Sequence, residues 1–220
     1  MQRAISRAML PLRKLWWVVA KYKIVAIVVV LLVAGLGGWQ YRSASVNNNW
    51  KKATDYYRRA DYDGAAKILK KMDMPKDATR LSIYAQTMLA TRQLDKAALS
   101  YQKLYKINKD PFAKLVLGNI YNQQNKYDEA ATIYQDLINS NPAYSQAYVN
   151  LATLYRLQNK NDQAVATAEK AVINNPNNVV LNELLVSMTM NDKDSPKFKA
   201  AIVKLQKLNP KDPLLDLVKR

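Results

Sequence analysis

The sequence contains no histidine and no cysteine. These absences exclude a disulfide framework, a thiolate nucleophile, an imidazole general base, a Cys/His zinc site and a lipidated cysteine anchor, and they leave the compartment unmarked by redox chemistry. Glycine is scarce as well, 5 in 220 residues. Four of these, Gly35, Gly37, Gly38 and Gly64, lie in or shortly after an apolar run, so no glycine-rich phosphate loop follows a strand. Glutamate occurs only as Glu129, Glu169 and Glu183. Asp128 and Glu129 are adjacent at an expected helix start, where neighbouring side chains do not face one another and the helix terminus explains the charge. The chain is therefore not expected to be an enzyme, and neither a cofactor nor a metal is expected.

Acidic residues are missing altogether from the first 54 positions, which hold nine basic ones. That stretch supplies more than half of the net charge of +17; residues 55–220 carry 25 basic and 17 acidic side chains, a modest bias. The densest basic group, Arg58, Arg59, Lys67, Lys70 and Lys71, is interleaved with Asp55, Asp61, Asp63 and Asp73 and has no aromatic platform on which bases could stack. A solvated helix face or contact with anionic headgroups accounts for it, and no nucleic acid is expected as a partner.

The apolar content is concentrated. Residues 24–39 read IVAIVVVLLVAGLGGW, sixteen in a row without a charge. As a helix they span roughly 24 Å, and Gln40, Tyr41 and the stems of Tyr22 and Lys23 extend this toward the roughly 30 Å of a bilayer core. Trp16, Trp17 and Tyr22 precede the run and Trp39 and Tyr41 follow it, as aromatic belts do. Six basic residues, Arg3, Arg7, Arg13, Lys14, Lys21 and Lys23, lie before it, against Arg42, Lys51 and Lys52 close after it. A transmembrane helix over residues 24–41 with a cytoplasmic N-terminus follows from that asymmetry. Residues 8–23, with Leu12, Leu15, Trp16 and Val19, are expected to lie on the membrane surface against anionic lipid headgroups. Two alternatives stand beside the retained anchor: a signal peptide cleaved near Ser43-Ala44-Ser45, and a mitochondrial presequence followed by an inner-membrane anchor.

Beyond a connector at residues 42–46 the pattern becomes periodic. Leu117-Gly118-x-x-Tyr121, Ala130-x-x-x-Tyr134 and Pro142 are followed 34 residues later by Leu151-Ala152-x-x-Tyr155, Ala164-x-x-x-Ala168 and Pro176, and Pro210 keeps the interval. Upstream, Tyr84-Ala85-x-x-Met88 with Ala97-x-x-x-Tyr101 forms one unit, and Asp61 to Leu69 closes another whose first helix holds Trp50, Ala53 and Tyr56. Downstream the pattern loosens: Leu185-Val186-x-x-Thr189 fits, but the small residue of the second helix is displaced to Ala200 or Ala201. Asp128 and Asp162 are read as starting second helices and Asn141-Pro142 and Asn175-Pro176 as ending units.

These residues and their spacing resemble the tetratricopeptide repeat (TPR) family. The expected fold is all-α: a TPR solenoid of helix-turn-helix repeats preceded by a single N-terminal transmembrane helix. Its expected organisation is a basic cytoplasmic or interfacial segment at 1–23, the span at 24–41, the connector, a solenoid of four repeats and one degenerate terminal repeat at 47–210, and a tail at 211–220.

The resemblance implies that the first helices of the repeats present one face to a protein partner. The candidates on it are Gln86, Asn119, Asn122, Gln123, Asn150, Thr153 and Arg156, which could equally be solvated. The family's carboxylate-clamp arrangement is not matched, since Leu115 stands where a lysine would be needed beside Asn119. Tyr57, Tyr105, Tyr144 and Tyr148 are further candidates, as partner anchors or as packing residues. The chain looks like the small anchored TPR proteins that accompany bacterial translocation, folding or envelope-building machinery. The expectation is thus a scaffold or adaptor in the bacterial inner membrane, its solenoid extracytoplasmic, that binds a protein partner of the envelope. The alternative is a structural or assembly subunit whose transmembrane helix also packs on partner helices around Gly35 and Gly38. Self-association is left open.

Overall fold

The computed structural model describes the backbone of residues 2–218, and the side chains from residue 21 onward apart from 23, 24, 26, 41 and 218. The expected inner aromatic belt at Trp16 and Trp17, the basic residues from Arg3 to Lys14, the surface-lying face of residues 8–23 and Tyr41 therefore lie outside the described side chains. Among the described residues every element is a helix, and they fall into two compact units, residues 1–72 and 73–220.

The first unit holds α1 (Gln2–Arg58) and α2 (Tyr62–Leu69). The segment expected as a connector, 42–46, lies inside α1, so the apolar run and the first helix of the first repeat are one continuous helix. Within α1, Ile27–Arg58 contains a stretch long and apolar enough to cross a membrane, and none of that stretch is buried. Tyr22 and Trp39 are exposed near its two ends. Farther along, the face changes character: α2 packs on α1, and Trp50 and Ala53 of α1 are buried, as are Ala65, Ala66 and Leu69 of α2. Asp61 caps α2 by accepting from the Gly64 amide at 2.7 Å.

The second unit holds four helix pairs. They are α3 (Ala78–Ala90) with α4 (Leu94–Asn108), α5 (Pro111–Gln123) with α6 (Tyr127–Ser140), α7 (Ser145–Leu157) with α8 (Asn161–Asn174), and α9 (Val179–Thr189) with α10 (Pro196–Leu208). The short α11 (Pro213–Val218) follows. Within pairs, small residues sit where the helices cross: Ala85, Ala97, Ala130, Ala152 and Ala164 are buried. Gly118 shows why. A Cβ there would stand 2.7 Å from Tyr134 Cε1 and 3.0 Å from Ile133 Cγ2, closer than side chains tolerate without moving. In the last pair Val186 and Phe198 occupy the equivalent places and Ala201, not the exposed Ala200, is the buried small residue.

The turns inside the repeats carry a common device. Ala60, Arg92, Asn125 and Asn159 have left-handed φ values of 55 to 60° and recur at intervals of 32, 33 and 34 residues. The residue after each, Asp61, Gln93, Lys126 and Lys160, donates its amide to the carbonyl five residues back at 2.8 to 3.0 Å, the bond that closes a Schellman motif. Chain reversal is thus encoded at the ends of α1, α3, α5 and α7; after α9 the turn lacks the device and Ser195 caps α10 instead. The second helices α4, α6 and α8 start at residues whose side chains make no cap, so Asp128 and Asp162 are not N-caps; they lie in the first turn, where a carboxylate favours the helix dipole. Most first helices of this unit are capped: Asp77 accepts from Arg80 N, Asp110 from Phe112 N and Asn178 from Leu181 N.

The expected tail at 211–220 includes α11, whose Leu215 is buried against Val186, Phe198, Ala201 and Leu205. It closes the apolar end of the last pair, which an uncovered repeat would expose.

Candidate partner-binding face

The first helices α3, α5, α7 and α9 share a register. The second residue of α5, α7 and α9 is Phe112, Gln146 and Val180 in turn, and Gln86, Asn119, Thr153 and Ser187 occupy a matching position farther along. Side chains seven or eight residues apart lie on the same side of a helix, so these sets line one face.

Asn119 and Asn150 are brought together on it. Asn119 Oδ1 accepts from Asn150 Nδ2 at 2.7 Å and from the Tyr134 hydroxyl at 2.7 Å, while Asn150 Oδ1 accepts from Gln146 Nε2 at 2.9 Å. The chain of bonds joins α5, α6 and α7. Tyr134 is 1% exposed, and burial pushes its pKa up to about 12, the Asn150 amide drawing it part of the way back. Both asparagines are half-buried. They act first as pins between repeats.

Arg156 does the same one repeat on, donating from Nη1 to Ser187 Oγ of α9 at 3.1 Å. Gln86 is exposed, and its Nε2 donates to Ser82 Oγ in its own helix at 2.9 Å. Asn122 and Thr153 are half-buried, and Gln123 is exposed at the end of α5. Of the tyrosines, Tyr148 is 0% exposed and its hydroxyl accepts from Asn174 Nδ2 at 2.6 Å, which makes it a packing residue and not a surface anchor. Tyr105 is half-buried beneath the ammonium groups of Lys109 and Lys114, 5.5 and 5.3 Å from its ring. Tyr57 meets Tyr62 edge-on, and burial together with the charge of Asp110 raises the Tyr144 pKa.

The face is more apolar than the asparagines and glutamines suggested. Phe112 and Val180 are exposed, and Val149, Val180, Leu184, Leu214 and Leu217 line a cavity of about 440 Å³ between α7, α9 and α11. The interval of 34 from Phe112 through Gln146 to Val180 would have exposed the pattern; α11 could not be foreseen from it. Glu183 and Asp212 line the same cavity. Burial raises the Glu183 pKa, and so do a hydrogen bond with the Asp212 carboxyl and its charge. Among the described residues no group of three or more acidic side chains could hold a metal ion.

Helix pairs with small residues at the crossing, turns closed alike and amides tying first helix to first helix define a helical-repeat scaffold. Residues 115–179, from α5 to the start of α9, match the tetratricopeptide repeat family. The fold recurs in solved structures. One is MamA of Desulfovibrio magneticus RS-1 from its residue 41 to the end, with TM-score 0.56 and 17% identity, covering 76% of this chain and 96% of that one. Another MamA crystal structure superposes with TM-score 0.57 at 18% identity over 75% and 92% of the two chains. A tetratricopeptide repeat protein of Parabacteroides merdae gives TM-score 0.58 at 16% identity over 79% and 70%. No curated protein matches the chain in sequence.

Proposed function

We propose that the chain is a membrane-anchored scaffold that holds a protein partner of the cell envelope on the first-helix face of its repeats. The observation that carries this reading is the continuity of α1, which joins an exposed apolar run to the buried Trp50 and Ala53 of the first repeat in one helix. Whatever the repeats hold is then held at the membrane. The excess of basic residues before the run supports a cytoplasmic N-terminus, an extracytoplasmic repeat body and residence in the bacterial inner membrane. The N-terminal basic segment contacts anionic headgroups on the cytoplasmic side.

Because the chain has no cysteine, topology can be read from one introduced thiol at a time. In intact spheroplasts an impermeant maleimide is expected to label Ser45→Cys and not Ser6→Cys, and alkaline carbonate is expected to leave both variants in the membrane. Labelling at position 6 alone, or release by carbonate, would overturn the anchored topology.

A further inference from the structure

The cavity between α7, α9 and α11 has apolar walls and an acidic pair. Val180 and Leu217, 54% and 62% exposed, leave apolar surface open beside it. Asp212 is 3% exposed and both of its oxygens are engaged, Oδ1 by the Leu214 amide at 2.9 Å and Oδ2 by Asn209 Nδ2 at 3.0 Å. Glu183, half-buried, lines the same cavity, and burial together with the Asp212 carboxyl raises its pKa. Among the described residues neither is within 4.0 Å of a lysine or arginine, although the chain carries 34 of them. The cation on the neighbouring helix, Arg156, is drawn to Ser187, one turn beyond Glu183.

Burial and repulsion from the Asp212 carboxyl together disfavour ionisation of Glu183 in the free protein. A cation supplied from outside removes that repulsion and gains a charge-assisted hydrogen bond where water is partly excluded. The volume is of the size that takes one or two side chains.

We propose that this cavity docks a segment of the partner protein in which a lysine or arginine is flanked by apolar side chains, the cation meeting the half-buried Glu183 in front of the buried Asp212 and the apolar groups meeting Val180 and Leu217. The inference rests on the scaffold reading and gives the partner its chemistry. A bound cation pulls the raised Glu183 pKa back down, so docking strengthens as pH rises through the Glu183 ionisation.

The test uses the full-length chain in phosphatidylcholine nanodiscs, with empty discs as blank, and two fluorescein-labelled peptides of leucine and serine that differ only in carrying lysine or glutamate at the same positions. Long-range attraction to a protein of net charge +17 favours the acidic peptide. The cavity is expected to reverse that order, with the lysine peptide bound about tenfold more tightly, and Glu183→Gln is expected to remove about tenfold of its affinity. Glu183→Gln relieves a repulsion at constant size, and Leu217→Ala changes an exposed residue, so both variants fold; the second is expected to weaken binding by about threefold. Equal or tighter binding of the glutamate peptide, or a lysine peptide indifferent to Glu183→Gln, overturns the proposal. The scaffold reading fails separately, if crosslinkers at Gln146 and Thr153 capture no protein in native membranes.

Discussion

Asn119 offers the sharpest test of how the repeats are joined. Its carboxamide oxygen accepts from two donors, the Tyr134 hydroxyl and Asn150 Nδ2, each at 2.7 Å. Asn119→Ala strips both at once. Asn150 is half-buried and regains water, so its loss is one net hydrogen bond, about 1 kcal/mol. The Tyr134 ring is 1% exposed, so its hydroxyl is stranded and adds about 1–2 kcal/mol. The sum of about 2–3 kcal/mol corresponds to a fall in Tm of about 4–12 °C for a body of this size. Tyr134→Phe removes only one donor and leaves Asn119 joined to Asn150, a cost of about 1 kcal/mol. Circular dichroism melts of both single variants and the double variant complete a cycle in which coupling of about 1 kcal/mol is expected. Repeats that lose an interface unfold less cooperatively, so the Asn119→Ala transition is also expected to broaden. A change below about 0.5 kcal/mol, with no coupling to Tyr134, would refute the pin and return Asn119 to the solvated surface.

Three further outcomes follow from the geometry. Gly118→Ala forces a Cβ to 2.7 Å from a tyrosine ring that is itself tethered, so a loss of about 1–3 kcal/mol is expected despite the better helix propensity of alanine. Gly38→Ala, with nothing within 4 Å, is expected to leave melting of the repeats unchanged. Arg92 is an exposed residue with φ of 55°, so Arg92→Gly is expected to stabilise by about 0.5–1 kcal/mol in urea titration, whereas Gly is not needed at Asn125 or Asn159, where asparagine already tolerates the left-handed turn. Stability should also follow two raised pKa values. Tyr134 binds its proton more tightly folded than unfolded, so about 2–3 kcal/mol present below pH 10 is lost as pH rises toward 12; Tyr134→Phe should abolish that loss. The raised Glu183 pKa likewise makes stability fall as pH climbs above 4.5 through the folded value, and Glu183→Gln should flatten that slope.

The repeats were legible in the sequence because their packing constrains residue size at fixed intervals. A helix crossing that admits only glycine or alanine writes Gly118, Ala130, Ala152 and Ala164 into the chain. The apolar run was legible for a similar reason, since sixteen residues without charge have few uses in water. Polar residues were harder to place. Asn119 and Asn150 lie on the first helices α5 and α7, yet an amide suits a partner and a neighbouring repeat equally well, and only the fold shows that they bond to one another. Asp128 and Asp162 stand two positions past the N-caps Lys126 and Lys160 because a Schellman turn, and not a side-chain cap, ends the reversals into α6 and α8. The acidic cavity was not legible at all. Glu183 and Asp212 are far apart in the chain, and they meet only because α11 folds back where a tail was expected.

The central claim is that one face of an anchored repeat body holds a protein. Its most direct measurement is photocrosslinking in native membranes from p-benzoylphenylalanine placed singly at Gln146, Val149 or Thr153 on the first-helix face, and at Lys170 on the exposed side of α8. A single discrete adduct shared by the three face positions and missing from Lys170 is predicted; adducts of equal yield from both faces, or none from the first-helix face, would contradict the account.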